Sequence, residues 1–309
     1  MFKRDNLGPP EESAMYTKQA LRELGLNGQE LSAEQVRQLD GQGFFIIESF
    51  YSRAEASEMA EEFDRLHARE GEKGGHEVHV EPGAPRVSNI YNKTQAYDIC
   101  LNCKPLLAAA HHMLGEFKLH GANLRDPLPG KGHQDLHVDV PKKFADDWWV
   151  TNALVLFDDM TNDNGPTRIV PGSHLWQPIN VPYVNIGDWL PAPLTPEEQA
   201  RVPKDLSAPY PGEMHVTAPA GSVVVMNSSM WHGGTRNTNG ARRRVLHLTY
   251  TRRDLPQQLV QRDYLTQDLY ERMSPAQRFL LDIEPLSETR RSAVTGSARR
   301  EGEHKGWWN

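Results

Sequence analysis

The 309-residue sequence predicts a mainly β fold, a barrel or jelly roll with helices added in front, on three observations. From Phe117 onward, short apolar runs are separated by Gly, Pro, Asn and Asp, the punctuation of an all-β domain. Ahead of that region stand two helix-start signatures, Ser32 with Gln35 and Ser52 with Glu55. The hydrophobic fraction is 38%, enough for one large core, and no apolar run approaches the roughly 20 residues of a membrane span.

The elements follow in order. Residues 1–30 are polar and weakly patterned, which predicts an extension that packs late or stays loose. Helices are expected after Ser32 and over residues 53–70, with Gly43-Phe44-Phe45-Ile46-Ile47 as a buried strand between them. Residues 71–95 are rich in Gly, Pro and His and predict loop. Residues 96–114 show a helical pattern broken or kinked at Pro105, with Cys100 and Cys103 on its buried stripe. A structural zinc wants four ligands, and no second C-x-x-C exists, so the cysteines read as core. Strands are predicted over 117–124, 133–140, 150–157, 168–171, 222–227 and 243–252. The long Pro-rich stretch 175–220 is expected to be an insertion and a candidate lid, and 287–309 a charged tail without periodicity.

The formal net charge of −7 gives no electrostatic case for nucleic-acid binding. Residues 1–6 contain no apolar signal region, and the Trp307-Trp308-Asn309 end is not a retention or peroxisomal signal. The expected compartment is the cytoplasm, with no membrane partner.

The most informative stretch is Gly130-Lys131-Gly132-His133-Gln134-Asp135-Leu136-His137-Val138-Asp139-Val140. In a strand, alternate side chains share a face, which places His133, Asp135, His137 and Asp139 together. Four such groups cannot form a dry core, so the face is either wet or binds a cation. Two His and one carboxylate suit iron(II) and leave three coordination positions for chemistry. The third ligand expected is His232, which follows a buried run and precedes Gly233-Gly234. Eleven residues on, Arg243 opens the next apolar run, where an inward guanidinium would pair with a carboxylate co-substrate. Alternation alone leaves two H-x-D pairs open, His133/Asp135 and His137/Asp139.

At these residues the sequence resembles the phytanoyl-CoA dioxygenase family of iron(II)/2-oxoglutarate oxygenases. The matching features are His133-Gln134-Asp135-Leu136-His137, Asp163-Asn164-Gly165-Pro166, Val170-Pro171-Gly172-Ser173-His174, His232-Gly233-Gly234-x-x-Asn237 and Arg243. The resemblance covers roughly residues 31–252, and the family domain is expected over 31–286. It implies a double-stranded β-helix (jelly roll, cupin-like) with N-terminal helices packed on the sheet. It also implies iron ligands His133, Asp135 and His232, with Arg243 and Asn152 on 2-oxoglutarate. His137 and Asp139 would then support the ligands or face the substrate.

The implied activity is hydroxylation of an unactivated C–H bond of a small molecule by O2, with release of succinate and CO2. The alternatives are a same-fold protein that binds without catalysis, or another 2-oxoglutarate-driven oxidation such as desaturation or cyclisation. A halogenase would need the carboxylate position vacant, and Asp135 fills it. Among the remaining histidines, His174 is expected to be structural. His111, His112, His120, His215 and His247 are expected to be satisfied or exposed, while His76 and His79 lie in a loop that could line a substrate entrance.

Overall fold

The computed structural model describes residues 15–140, 144–176 and 195–284. The insertion expected over 175–220 lies partly, and the tail wholly, outside the described residues. The chain opens with α1 (Thr17–Glu23) and α2 (Ala33–Gln42), then β1 (Phe44–Ile47) and α3 (Arg53–Glu70). Both expected capping boxes form: Gln35 N donates to Ser32 Oγ and Glu55 N to Ser52 Oγ, and each N3 side chain accepts from the cap nitrogen. Beyond the short β2 (Arg86–Val87), a 3-10 turn at Asp98–Asn102 leads into α4 (Lys104–Leu114). Pro105 sits in the first turn of α4, where its missing N–H costs nothing, so the predicted break falls just before it.

The β region comprises β3 (Phe117–Arg125), β4 (Val150–Leu156), β5 (Thr167–Ile169), β6 (Met214–His215), β7 (Val223–Asn227), β8 (His232–Gly234) and β9 (Val245–Arg252). Short helices α5 (Pro196–Arg201), α6 (Gln261–Tyr264), α7 (Gln267–Arg272) and α8 (Pro275–Leu281) complete the described chain. The strands form a six-stranded sheet, β1-β7-β4-β9-β3-β2, and a three-stranded sheet, β6-β5-β8. Every strand pairing is antiparallel. Two layered sheets with helices on one outer face make the expected jelly roll, without closure into a barrel.

The large sheet is buried on both sides. Ala153, Val155, Val225, Leu246 and Leu248 pack against Met59, Phe63 and Leu66 of α3 and Leu106, Leu107 and Ala110 of α4. Alternate residues, Leu154, Leu156, Val224, Met226 and Val245, face Ile169 and Val216 of the small sheet. Two-sided burial explains why these strands appear in sequence as continuous apolar runs rather than alternating ones. Cys100 and Cys103 are fully buried free thiols in the helix-side core, as expected.

Of the two outcomes expected for the N-terminal extension, residues 15–30 show packing: Ala20 and Leu21 are buried, and both the backbone N and Oγ of Thr17 donate to Glu116 (3.0 and 2.9 Å). One expectation needs correction. Residues 133–140 are not a strand. Gln134 N donates to Gly234 O and His137 pairs with His232, but Leu136 N turns to Leu206 O, so the ladder is shared between two partners and never becomes regular.

Candidate metal centre

Irregularity in 133–140 decides which side chains meet. From Leu136 onward, alternation holds: Leu136, Val138 and Val140 are buried in apolar clusters, while His137 and Asp139 line a cavity. Before Leu136 it fails, because Gln134 lines the same cavity and its Oε1 accepts from Gly234 N at 3.0 Å. A slip of one residue transfers side chains to the opposite face. His133 and Asp135 are accordingly exposed. The expected trio of His133, Asp135 and His232 is therefore not brought together.

The structure gathers His137, Asp139 and His232, whose potential ligand atoms all lie within 4.8 Å of one another. His232 Nε2 is 3.5 Å and His137 Nε2 is 4.0 Å from Asp139 Oδ1. The other ring nitrogens are occupied by backbone carbonyls: His137 Nδ1 lies 2.7 Å from Asp135 O, and His232 Nδ1 lies 2.8 Å from Met230 O. Such contacts make Nδ1 the protonated nitrogen and aim the Nε2 lone pair of each ring at a common point, the arrangement of metal-binding histidines. Burial opposes ionisation of Asp139, but His232 and His137 hold its carboxyl below the ordinary range. Burial and the neighbouring His232 push His137 down to about 4. His232 resists burial through its contact with Asp139 and is shifted upward. One carboxylate and two imidazoles, oriented and largely dry, fit a divalent ion such as iron(II).

Close approach of the ligand segment to β8 requires glycine at 234, where a Cβ would stand 2.5 Å from Gly132 O. The glycines beside His232 thus admit the neighbouring chain segment.

Arg243 is 1% exposed, and none of its three guanidinium nitrogens has a hydrogen-bond partner. Only its backbone is tied, N to Asp126 Oδ1 at 3.0 Å. Burial and the nearby Arg125 depress its pKa, meaning that the folded chain holds this charge at a cost. The flanking arginines are spent elsewhere: Arg242 pairs with Asp126 and Asp64, and Arg244 with Asp158 and Asp64. A buried, unpaired fork of donors fits a carboxylate ligand. Asn152 Oδ1 and His247 Nε2 are also buried without hydrogen-bond partners, and both residues line the cavity. The expectation that His247 is satisfied or exposed is corrected here, since its Nε2 is buried without a partner. Period two from Arg243 through Val245 to His247 is the signal that could have found it.

The cavity measures about 370 Å³ and reaches from the ligand trio to Glu77 and His79. A second grouping among the described residues, Glu70, His76 and Glu77, already holds a cation, since Lys93 Nζ lies 2.7 Å from each glutamate. No helix among the described residues is long and apolar enough to cross a membrane.

Known proteins resemble this chain in sequence and in fold. The family described as phytanoyl-CoA dioxygenase (PhyH) matches residues 39–245. Ectoine dioxygenase of Bordetella bronchiseptica is 29% identical over 233 residues, covering 71% of this chain and 75% of that protein. L-proline trans-4-hydroxylase of Streptomyces griseoviridis is 26% identical over 195 residues, covering 57% and 71%. HygX of Streptomyces hygroscopicus, in a structure with nickel and 2-oxoglutarate bound, superposes with a TM-score of 0.56 at 17% identity, covering 74% of this chain and 89% of that one.

Proposed function

The chain belongs to the phytanoyl-CoA dioxygenase family, and on that premise we propose that it is an iron(II)- and 2-oxoglutarate-dependent hydroxylase of a small molecule. We assign the metal to His137, Asp139 and His232, and the distal carboxylate of 2-oxoglutarate to Arg243. The single observation that carries the reading is Arg243, because a buried guanidinium without a partner is a standing cost that a carboxylate co-substrate removes. Asn152 and His247 offer polar atoms on the same interior wall. Iron, when bound, supplies the activation of O2, and 2-oxoglutarate supplies two electrons as it leaves as succinate and CO2, with one oxygen atom delivered to the substrate C–H.

The protein's own part is positional. Carbonyls 2.7 and 2.8 Å from Nδ1 of His137 and His232 favour the tautomer that leaves each Nε2 lone pair for the ion. Asp139 contributes negative charge that offsets the ion's, and buried Leu136 and Val138 behind the ligands keep water from that side. A three-residue ligand set leaves half the coordination sphere for co-substrate and oxygen.

Anaerobic titration of the chain with iron(II) and then 2-oxoglutarate tests this directly. The expected result is a weak visible charge-transfer band that develops only when both are present, followed by succinate release on admission of air. No band at saturating iron and 2-oxoglutarate would overturn the proposal.

A further inference from the structure

We infer that the substrate is a small, uncharged, hydrophilic molecule bearing several hydroxyl or amide groups, held by the cavity wall that faces the ligand trio. The inference rests on the function proposed above and deepens it. A volume of about 370 Å³ stands near the low end for small-molecule sites, and the metal-binding end of the co-substrate takes part of it. Val78 and Val150 are the aliphatic residues in the lining, and no Phe, Tyr or Trp is among the described residues there. A long acyl chain would strand the polar atoms of such a wall without hydrogen bonds.

Each charged side chain on this wall already sits in an ion pair, Glu81 being shared between Arg86 and Arg125 and Lys93 between Glu70 and Glu77. Arg86 Nε donates to Glu81 at 2.7 Å, and Glu77 is reached by Lys93 at 2.7 Å and by His76 at 3.5 Å. Asp139 belongs to the ligand trio. A carboxylate or ammonium on the substrate would therefore have to compete for counter-charges that are already engaged.

What remains is neutral and amphoteric in its hydrogen bonding. Asn123 Nδ2 donates to Gln258 Oε1 at 2.8 Å, and Gln258 N donates to His120 Nδ1 at 3.2 Å, so these three form one linked wall. Burial holds His120 at about 4, while partial burial and nearby Arg86 lower His79, whose side chain remains exposed to solvent. Uncharged imidazoles and amides each donate and accept, matching hydroxyl and amide groups that do the same.

The test uses the full chain loaded with nickel(II) and 2-oxoglutarate, followed by melting temperature. Probes are myo-inositol, glucose and N-acetylglucosamine against proline, glutamate and octanoate. The uncharged set should raise the melting temperature, and in the iron-loaded chain in air it should raise succinate release. His79→Leu and Gln258→Leu should each weaken the response by about tenfold in affinity, the loss of a neutral hydrogen bond or two. A larger response to proline, glutamate or octanoate, or none to any uncharged probe, overturns the inference. The charge-transfer band of the substrate-free chain separates the two levels: its absence removes the function, while its presence with a charged preference removes only the substrate class.

Discussion

His137 and His232 form an isolated antiparallel bridge, each donating its backbone N–H to the other's carbonyl at 2.8 and 2.9 Å. Directly opposed residues project to the same side, so one backbone pairing brings two imidazoles to a centroid separation of 4.5 Å. Asp139, two residues further along and with its own N–H on Ser228 O, joins them from the same side. The candidate metal centre is thus a by-product of where one bridge falls.

The ligand register gives the sharpest expectation. Asp139→Ala should abolish iron-dependent 2-oxoglutarate turnover, because coordination and compensating charge vanish together. Asp135→Ala should retain it, since that side chain is exposed and contributes only its carbonyl to His137 Nδ1. Paired nickel titrations of the two folded variants decide the matter. Metal binding lost in Asp135→Ala but kept in Asp139→Ala would return the site to the His133 pair.

Arg243→Met should have opposite effects on two states. Loss of an unpaired buried charge should raise the melting temperature of the ligand-free chain. Binding of 2-oxoglutarate should weaken by about 2–5 kcal/mol, the penalty for a buried carboxylate without its partner. Calorimetric titration of the nickel-loaded variant with 2-oxoglutarate measures this. Unaltered affinity would refute the anchor.

Glu81 predicts a pH dependence. Burial alone would raise its pKa, but hydrogen bonds from Arg125 and Arg86 override burial and bring it to about 2. A carboxylate depressed by folding stabilises fully above its unfolded value near 4.5, and that contribution is lost as pH falls toward 2. Melting temperatures of the wild type and Glu81→Gln should therefore differ most near neutral pH and converge in acid. A constant gap from about pH 6 to 3 would contradict this.

Ser52→Ala should cost about 1 kcal/mol, the usual value of an N-cap. The Ser52 hydroxyl accepts from Glu55 N at 3.2 Å and starts the helix that buries Met59, Phe63 and Leu66. Urea denaturation of both proteins gives the difference, and an unshifted midpoint would mean the helix start is held by tertiary packing alone.

What the sequence reveals depends on how local the causes are. Ser32-Gln35 and Ser52-Glu55 act within four residues, and both boxes form where expected. Val223–Asn227 and Val245–Arg252 are recognisable because strands buried on both faces must be apolar throughout. The contact between Thr17 and Glu116 spans 99 residues, and no nearby pattern announces it. His232 and Arg243 could be singled out from spacing and flanks. The choice between two H-x-D pairs could not, because it turns on Leu136 N bonding to Leu206 O, a carbonyl 70 positions downstream. Family likeness favoured the triplet His133-Gln134-Asp135, whereas the fold exposes both of its potential ligands.

The strap from Gly132 to Val140 supplies two of the three potential ligands yet adds no rung to either sheet beyond its single bridge. Architecture and chemistry are therefore built from separate stretches of chain. A substitution at Asp139 would break the candidate ligand set without touching a strand of either sheet. The guanidinium of Arg243, buried and unpartnered just before β9, would be untouched.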